Sequence, residues 1–239
     1  MTVGVLGDLK HSLMRIATLT TPHQGHLMRP LREALIEDMN RYSEYNGFPI
    51  NPLKIIWDLR TVLGLDDLVV CDVGAHKMWM ARMSRCELPN TCIISNGFAS
   101  MEIAVPGAIA ARMVLPDRAV VAVTGDAGFM MNSQEIETAM RLQVPVVILI
   151  CNDAGYGLIE WKQMHQFQSS SHVDFTNPDF VKYAESFGAA GYRITGPGQL
   201  QGILKKALAQ PTVSIIDCPV DYSENLKLTE QLGNLVCPI

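Results

Sequence analysis

A chain of 239 residues with 48% apolar and 18% charged residues is long enough for one large α/β domain with an appendage, and its net charge of −5 argues against a nucleic-acid partner. No apolar run reaches the roughly 18 residues of a membrane span, and the opening Met-Thr-Val-Gly-Val-Leu-Gly-Asp lacks the charged-then-apolar order of a secretory leader, so the cytoplasm is the expected compartment. The six cysteines (Cys71, Cys86, Cys92, Cys151, Cys218, Cys237) form no Cys-x-x-Cys pair and read as reduced thiols.

Residues 1–48 stand apart: a short apolar start is followed by a charged helical stretch from Leu31 to Tyr45 that ends at Asn46-Gly47. From Pro49 the pattern alternates. Helices are predicted near Pro52–Leu63, Ala75–Ser84, Ile103–Met113, Ser133–Leu142, Leu158–Gln163, Pro178–Phe187 and Pro197–Leu208. Between them lie the strands Leu68–Asp72, Thr91–Ser95, Ala119–Val123, Val146–Cys151, Gly191–Ile194 and Thr212–Cys218. Near-continuous Val/Ile/Leu strands separated by amphipathic helices predict an α/β fold, a parallel sheet flanked by helices on both faces, with a helical N-terminal arm.

Two strands end on acids. The run Ala119–Val123 leads into Gly125-Asp126-Ala127-Gly128, and Val146–Cys151 leads into Asn152-Asp153-Ala154-Gly155-Tyr156-Gly157. The 27 residues from Asp126 to Asp153 suit one helix and a returning parallel strand, which would bring both carboxylates to the ligand-binding edge of the sheet. Two adjacent acids repel unless a cation lies between them, and oxygen ligands suit a hard ion such as Mg²⁺. The glycines let the backbone approach a ligand, and the amides of a helix opening after Gly128 would favour an anion, so a diphosphate is the natural guest. Either Gly-Asp or Asn-Asp alone is equally well an ordinary turn. The lone His76 reads from sequence as a structural histidine or a ligand contact, Met101 as core, and Gly196-Pro197-Gly198 as a turn without phosphate-loop spacing.

Gly125-Asp126-Ala127 followed by Asn152-Asp153 resembles the thiamine-diphosphate signature, usually Gly-Asp-Gly followed by Asn-Asn. With Asp72 to Arg82 and Ser95 to Met101, the chain from about residue 45 to about 235 is similar to acetolactate synthase large subunits, particularly the catabolic branch. The resemblance implies thiamine diphosphate and Mg²⁺ as cofactors. It assigns Asp126, Asp153 and the Gly155 carbonyl to the metal, and Gly74, Ala75, His76, Ala99, Met101, Ala127, Gly128 and Tyr156 to the cofactor, with Met101 propping its bent form. It implies pyruvate as substrate, decarboxylated and condensed to 2-acetolactate, in a homo-oligomer. Gly7-Asp8-Leu9-Lys10 resembles the last strand and turn of a middle domain, so residues 1–48 are expected to be the end of that domain plus a helical linker, and 49–239 the diphosphate-binding domain. The activating glutamate is expected on a pyrimidine-binding domain of another chain, so this chain alone is expected to be inactive. Departures are Asp153 for Asn, Ala127 for Gly, and Glu102 where the family has Gly. A non-catalytic thiamine-diphosphate-binding subunit or remnant, and another 2-keto-acid decarboxylase of the superfamily, are the alternatives.

Overall fold

The computed structural model describes residues 3–21 and 28–226. The chain divides into two compact units, Met1–Asp38 and Met39–Ile239. In the first, helix α1 (Leu9–Leu19) is capped by Asp8, whose carboxylate accepts the His11 amide at 2.7 Å. A helix therefore begins where the resemblance suggested the end of a strand and a turn. Leu9, Leu13, Met14, Ile16 and Leu19 on it are exposed. Helix α2 (Met28–Asn40) starts in this unit and ends in the next.

The second unit is built on six parallel strands in the order β2-β1-β3-β4-β6-β5. They are β1 (Leu68–Cys71), β2 (Cys92–Ile94), β3 (Val120–Gly125), β4 (Val147–Asn152), β5 (Ala190–Arg193) and β6 (Ser214–Pro219). The four central strands are buried on both sides, which is why they read as unbroken apolar runs. Alternate residues face opposite layers. Leu68, Val70, Val120, Ala122, Ile148, Ile150 and Ile215 pack into one core with Ala104, Ala108 and Ile109 of α5 (Ala104–Val114), Phe129, Ile136 and Phe180. Against the other face lie α3 (Pro52–Val62), α4 (Ala75–Met83) and α10 (Leu200–Leu208), with Trp79 and Met80 buried.

One element of this second unit is absent from the sequence-predicted set, as α1 is in the first. Helix α6 (Asp126–Met131) opens at the acid itself, not after Gly128, and is followed by α7 (Glu135–Arg141). Phe129, fully buried edge-on against Phe180 with ring centroids 5.5 Å apart, holds this single-turn helix to the sheet. The remaining helices are α8 (Gly157–Phe167) and α9 (Phe180–Ser186). Among the described residues Cys71, Cys86, Cys92, Cys151 and Cys218 are free thiols, while Cys237, His23 and His26 lie outside them. No helix of the described residues is long and apolar enough to cross a membrane.

Candidate functional site

Strands β3 and β4 are neighbours with Gly125 in register with Cys151, so Asp126 and Asp153 leave the sheet at the same edge. One cleft at that edge is lined by Gly74, Ala75, His76, Met101, Asp126, Ala127, Gly128, Asp153, Gly155 and Tyr156. Ala99, the remaining sequence-predicted position, is not part of its lining and sits on the preceding loop at φ 57°.

Asp126 is almost completely buried and rigidly held. Its Oδ1 accepts the Ala127 amide at 2.8 Å, and its Oδ2 accepts the Ala154 amide at 2.8 Å and Asn177 Nδ2 at 2.7 Å. The Ala127 amide, expected to face a diphosphate, is thus turned onto the neighbouring carboxylate. Ala127 does not need the conformational freedom of glycine, because its φ is not positive. Burial raises the Asp126 pKa despite these donors. Asp153 is pushed up to about 7, first by burial and then by the charge of Asp126. A half-buried acid whose affinity for protons is raised by a buried neighbour is chemically suited to exchange its proton for a cation. Among the described residues no group of three or more His, Cys, Asp or Glu gathers as a metal cluster, so a cation here needs backbone oxygen to complete its shell. The segment that carries Gly155 is pinned in place: Tyr156 N donates to Val173 O at 2.8 Å and Phe175 N to Ala154 O at 3.0 Å.

The glycines have a spatial reason beyond ligand approach. A Cβ at Gly157 would stand 2.4 Å from Asp153 Oδ2, and one at Gly128 would stand 2.6 Å from Asp72 Oδ2. Asp72, fully buried at the end of β1, is a clamp that joins three segments. Its Oδ1 accepts the Val73 amide at 2.7 Å, and its Oδ2 accepts Thr124 Oγ1 at 2.9 Å and the Glu102 amide at 2.8 Å. It thereby ties the Met101 loop to the sheet edge. Glu102 adopts φ 87°, the region that favours glycine, which explains why a glycine is usual at this position and marks the glutamate as strained.

His76, near the start of α4, is buried, and its Nε2 has no hydrogen-bond partner. Burial lowers its pKa to about 4, so the ring is neutral, and a side chain at Gly74 would stand 2.6 Å from it. A buried polar atom left open beside a cleft is a mark of a ligand contact. Three residues at the site carried no sequence-stated role there: Asn177, Asn152 and Tyr222. Asn152 Nδ2 donates to Asp217 Oδ1 at 2.8 Å, and Tyr222, which lines the cleft next to Asp153, has its pKa raised mainly by burial. Asn152 had a visible signal, standing beside the acid that ends β4. Asn177 and Tyr222 reach the edge from loops without periodicity.

Comparison with known proteins agrees with this geometry. Residues 72–218 match the family "Thiamine pyrophosphate enzyme, C-terminal TPP binding domain". The chain is 38% identical over 238 residues to an acetolactate synthase of Bacillus subtilis (strain 168), covering 98% of this chain and 41% of that protein. It is 32% identical to a catabolic acetolactate synthase of Raoultella terrigena, covering 96% and 42%, and 34% identical to the isozyme 3 large subunit of acetolactate synthase of Escherichia coli (strain K12), covering 94% and 41%. The chain spans about 40% of the length of these relatives. It belongs to the thiamine pyrophosphate enzymes and carries their C-terminal TPP-binding domain.

Proposed function

We propose that this chain is the cofactor-binding portion of an acetolactate synthase-like carboligase that decarboxylates pyruvate and condenses it to 2-acetolactate. Thiamine diphosphate, when bound, supplies the electron sink for that chemistry. The residues present fit the group. Asp126, Asp153 and the Gly155 carbonyl would hold Mg²⁺, and the open Nε2 of His76 lies beside the cleft where a diphosphate would sit. Met101 and Ala99 belong to the loop that Asp72 secures, which suits a role against the aminopyrimidine, and Gly74, Ala75, Ala127, Gly128 and Tyr156 complete the cofactor-binding set. The observation that carries the reading is the pair of acids at adjacent strand ends, sharing one cleft with no cationic side chain in its lining.

The activating glutamate is proposed to come from a pyrimidine-binding domain outside these 239 residues, within a cytoplasmic homo-oligomer. The residues of this chain then bind, orient and shield the cofactor, and the proton chemistry at the pyrimidine belongs to the partner. A second reading, a non-catalytic thiamine-diphosphate-binding subunit, is favoured by one observation: the strained Glu102 beside Met101. Titration of the pure chain with thiamine diphosphate, with Mg²⁺ and then with EDTA, tests the binding. Heat of binding is expected only with Mg²⁺, and no acetolactate is expected from pyruvate. Metal-independent binding would overturn the site, whereas robust turnover by the pure chain would show that the activating acid lies within it.

A further inference from the structure

The amide of Asn177 is placed between two acceptors. One Nδ2 hydrogen goes to Asp126 Oδ2 at 2.7 Å and the other to Asn152 Oδ1 at 3.0 Å, while Asn177 Oδ1 is buried with no partner. Turning the amide over would aim its oxygen at those two oxygens, so the orientation follows from the acceptors. The fold therefore leaves a buried carbonyl unsatisfied in order to keep a donor on Asp126, which is the reverse of what stability alone selects. Both acceptors have a second donor in the Ala154 amide, at 2.8 Å from Asp126 Oδ2 and 3.3 Å from Asn152 Oδ1. Asn177 is thus dispensable for satisfying them, yet among the described residues it provides a side-chain donor to the Asp126 carboxylate where the other two donors are backbone amides.

Behind it runs a chain of polar side chains leading to the surface. Asn152 Nδ2 donates to Asp217 Oδ1 at 2.8 Å, and Arg193 bridges Asp217 at 2.9 Å and Asp179 at 2.7 Å. Asp179, two residues after Asn177, caps α9 by accepting the Val181 amide at 3.1 Å, and so anchors the loop on which Asn177 rides. We infer that Asn177 is a positioning residue that aims the Asp126 carboxylate at the cation of the cofactor site. This inference rests on the proposal that Asp126 is a cation ligand. Partners behind a metal ligand that fix its direction typically change metal affinity by about 10- to 100-fold when removed.

The test uses the whole chain with thiamine diphosphate and Mn²⁺, the ion followed by electron paramagnetic resonance, and records the melting temperature of the cation-free protein. Asn177→Leu, of similar volume, is expected to weaken Mn²⁺ binding by about 10- to 100-fold while leaving the cation-free melting temperature unchanged or higher. Arg193→Leu, at the outer end of the chain, is expected to lower the melting temperature and keep Mn²⁺ affinity within about threefold of wild type. A purely structural role would give Asn177→Leu the Arg193 pattern, and this would overturn the inference, as would unchanged Mn²⁺ affinity in Asn177→Leu. Asn177→Ala provides a second variant, and loss of the fold in both would mark the residue as structural. Wild-type protein that binds no Mn²⁺ in this cleft would instead overturn the assignment of Asp126, and the inference with it.

Discussion

The two ends of the sheet treat charge in opposite ways. At the amino ends of β3 and β4, the Arg112 guanidinium is spent on backbone carbonyls: Pro145 at 3.2 Å, Leu115 at 3.4 Å, Arg118 at 2.8 Å, and Pro116. Asp67 there accepts the Gly64 amide at 2.7 Å and the Ala119 amide at 2.9 Å. At the carboxyl ends, Asp126 and Asp153 share a cleft whose lining has no cationic side chain, and His76 Nε2 is left open. A polar group whose partners are all internal holds the fold together. One that is buried and left incomplete marks where something else binds.

The sharpest way to break this contrast is to remove one charge from each end. Asp126→Ala is expected to lower Mg²⁺-dependent thiamine diphosphate affinity by more than about 100-fold with the fold intact, a loss at least as large as that of a residue behind a metal ligand. Arg112→Ala is expected to do the reverse, costing about 1–3 kcal/mol of stability with little change in cofactor affinity. Calorimetric titration and chemical denaturation of the two variants separate the outcomes. If both lose stability and neither loses affinity, the two ends are alike.

Gly128→Ala comes next in size. Its Cβ would meet Asp72 Oδ2 at 2.6 Å and Thr124 Oγ1 at 3.1 Å, so the clamp that holds the Met101 loop must shift, at about 1–3 kcal/mol. Denaturation midpoints measure it, and an unchanged midpoint would contradict the packing role. Glu102→Gly is expected to act in the other direction. At φ 87° a glycine relieves backbone strain, and a gain of about 1 kcal/mol is expected in the same assay. A loss would mean that the glutamate side chain makes a compensating contact.

The smallest effect is expected from pH, because Asp153 is partly exposed and solvent screens it. Its folded pKa of about 7 lies above the ordinary carboxylate value, so the cation-free folded chain holds a proton that the unfolded chain releases. Stability from this group falls as pH rises from about 4 to about 7. His76, lowered to about 4, acts oppositely: its contribution is complete above its ordinary value of 6.5 and is lost as pH falls toward 4. The difference in melting temperature between wild type and Asp153→Asn isolates the acid. That difference is expected to widen with pH in the absence of metal and to shrink or invert when Mg²⁺ and thiamine diphosphate are added. A pH-independent difference would contradict the raised pKa.

Much of this contrast was legible in the residues, for physical reasons that differ by region. Buried parallel strands must be apolar on both faces, so β1, β3, β4 and β6 are plain in the sequence, and with them the edge that carries Asp126 and Asp153. Helix α6 was obscured because Asp-Ala-Gly is a poor helix sequence; burial of Phe129 overrides the propensity. Helix α1 was hidden by its lack of any buried face. Glu102 is visible as a departure from a family pattern, but its positive φ is not. Asn177 could not be read at all, since it lies in an aperiodic loop and reaches Asp126, 51 residues earlier, only through the fold.

The most direct test of the proposed shared-cation site is thermodynamic linkage between its two proposed occupants. Mn²⁺ binding to the whole chain is measured by electron paramagnetic resonance with and without thiamine diphosphate, in wild type, Asp126→Ala and Asp153→Ala. The expected result is one tight Mn²⁺ per chain whose affinity rises with the cofactor, and loss of that rise in both variants. Mn²⁺ affinity indifferent to thiamine diphosphate, or an undiminished rise in either variant, would contradict a cation held jointly by the two carboxylates.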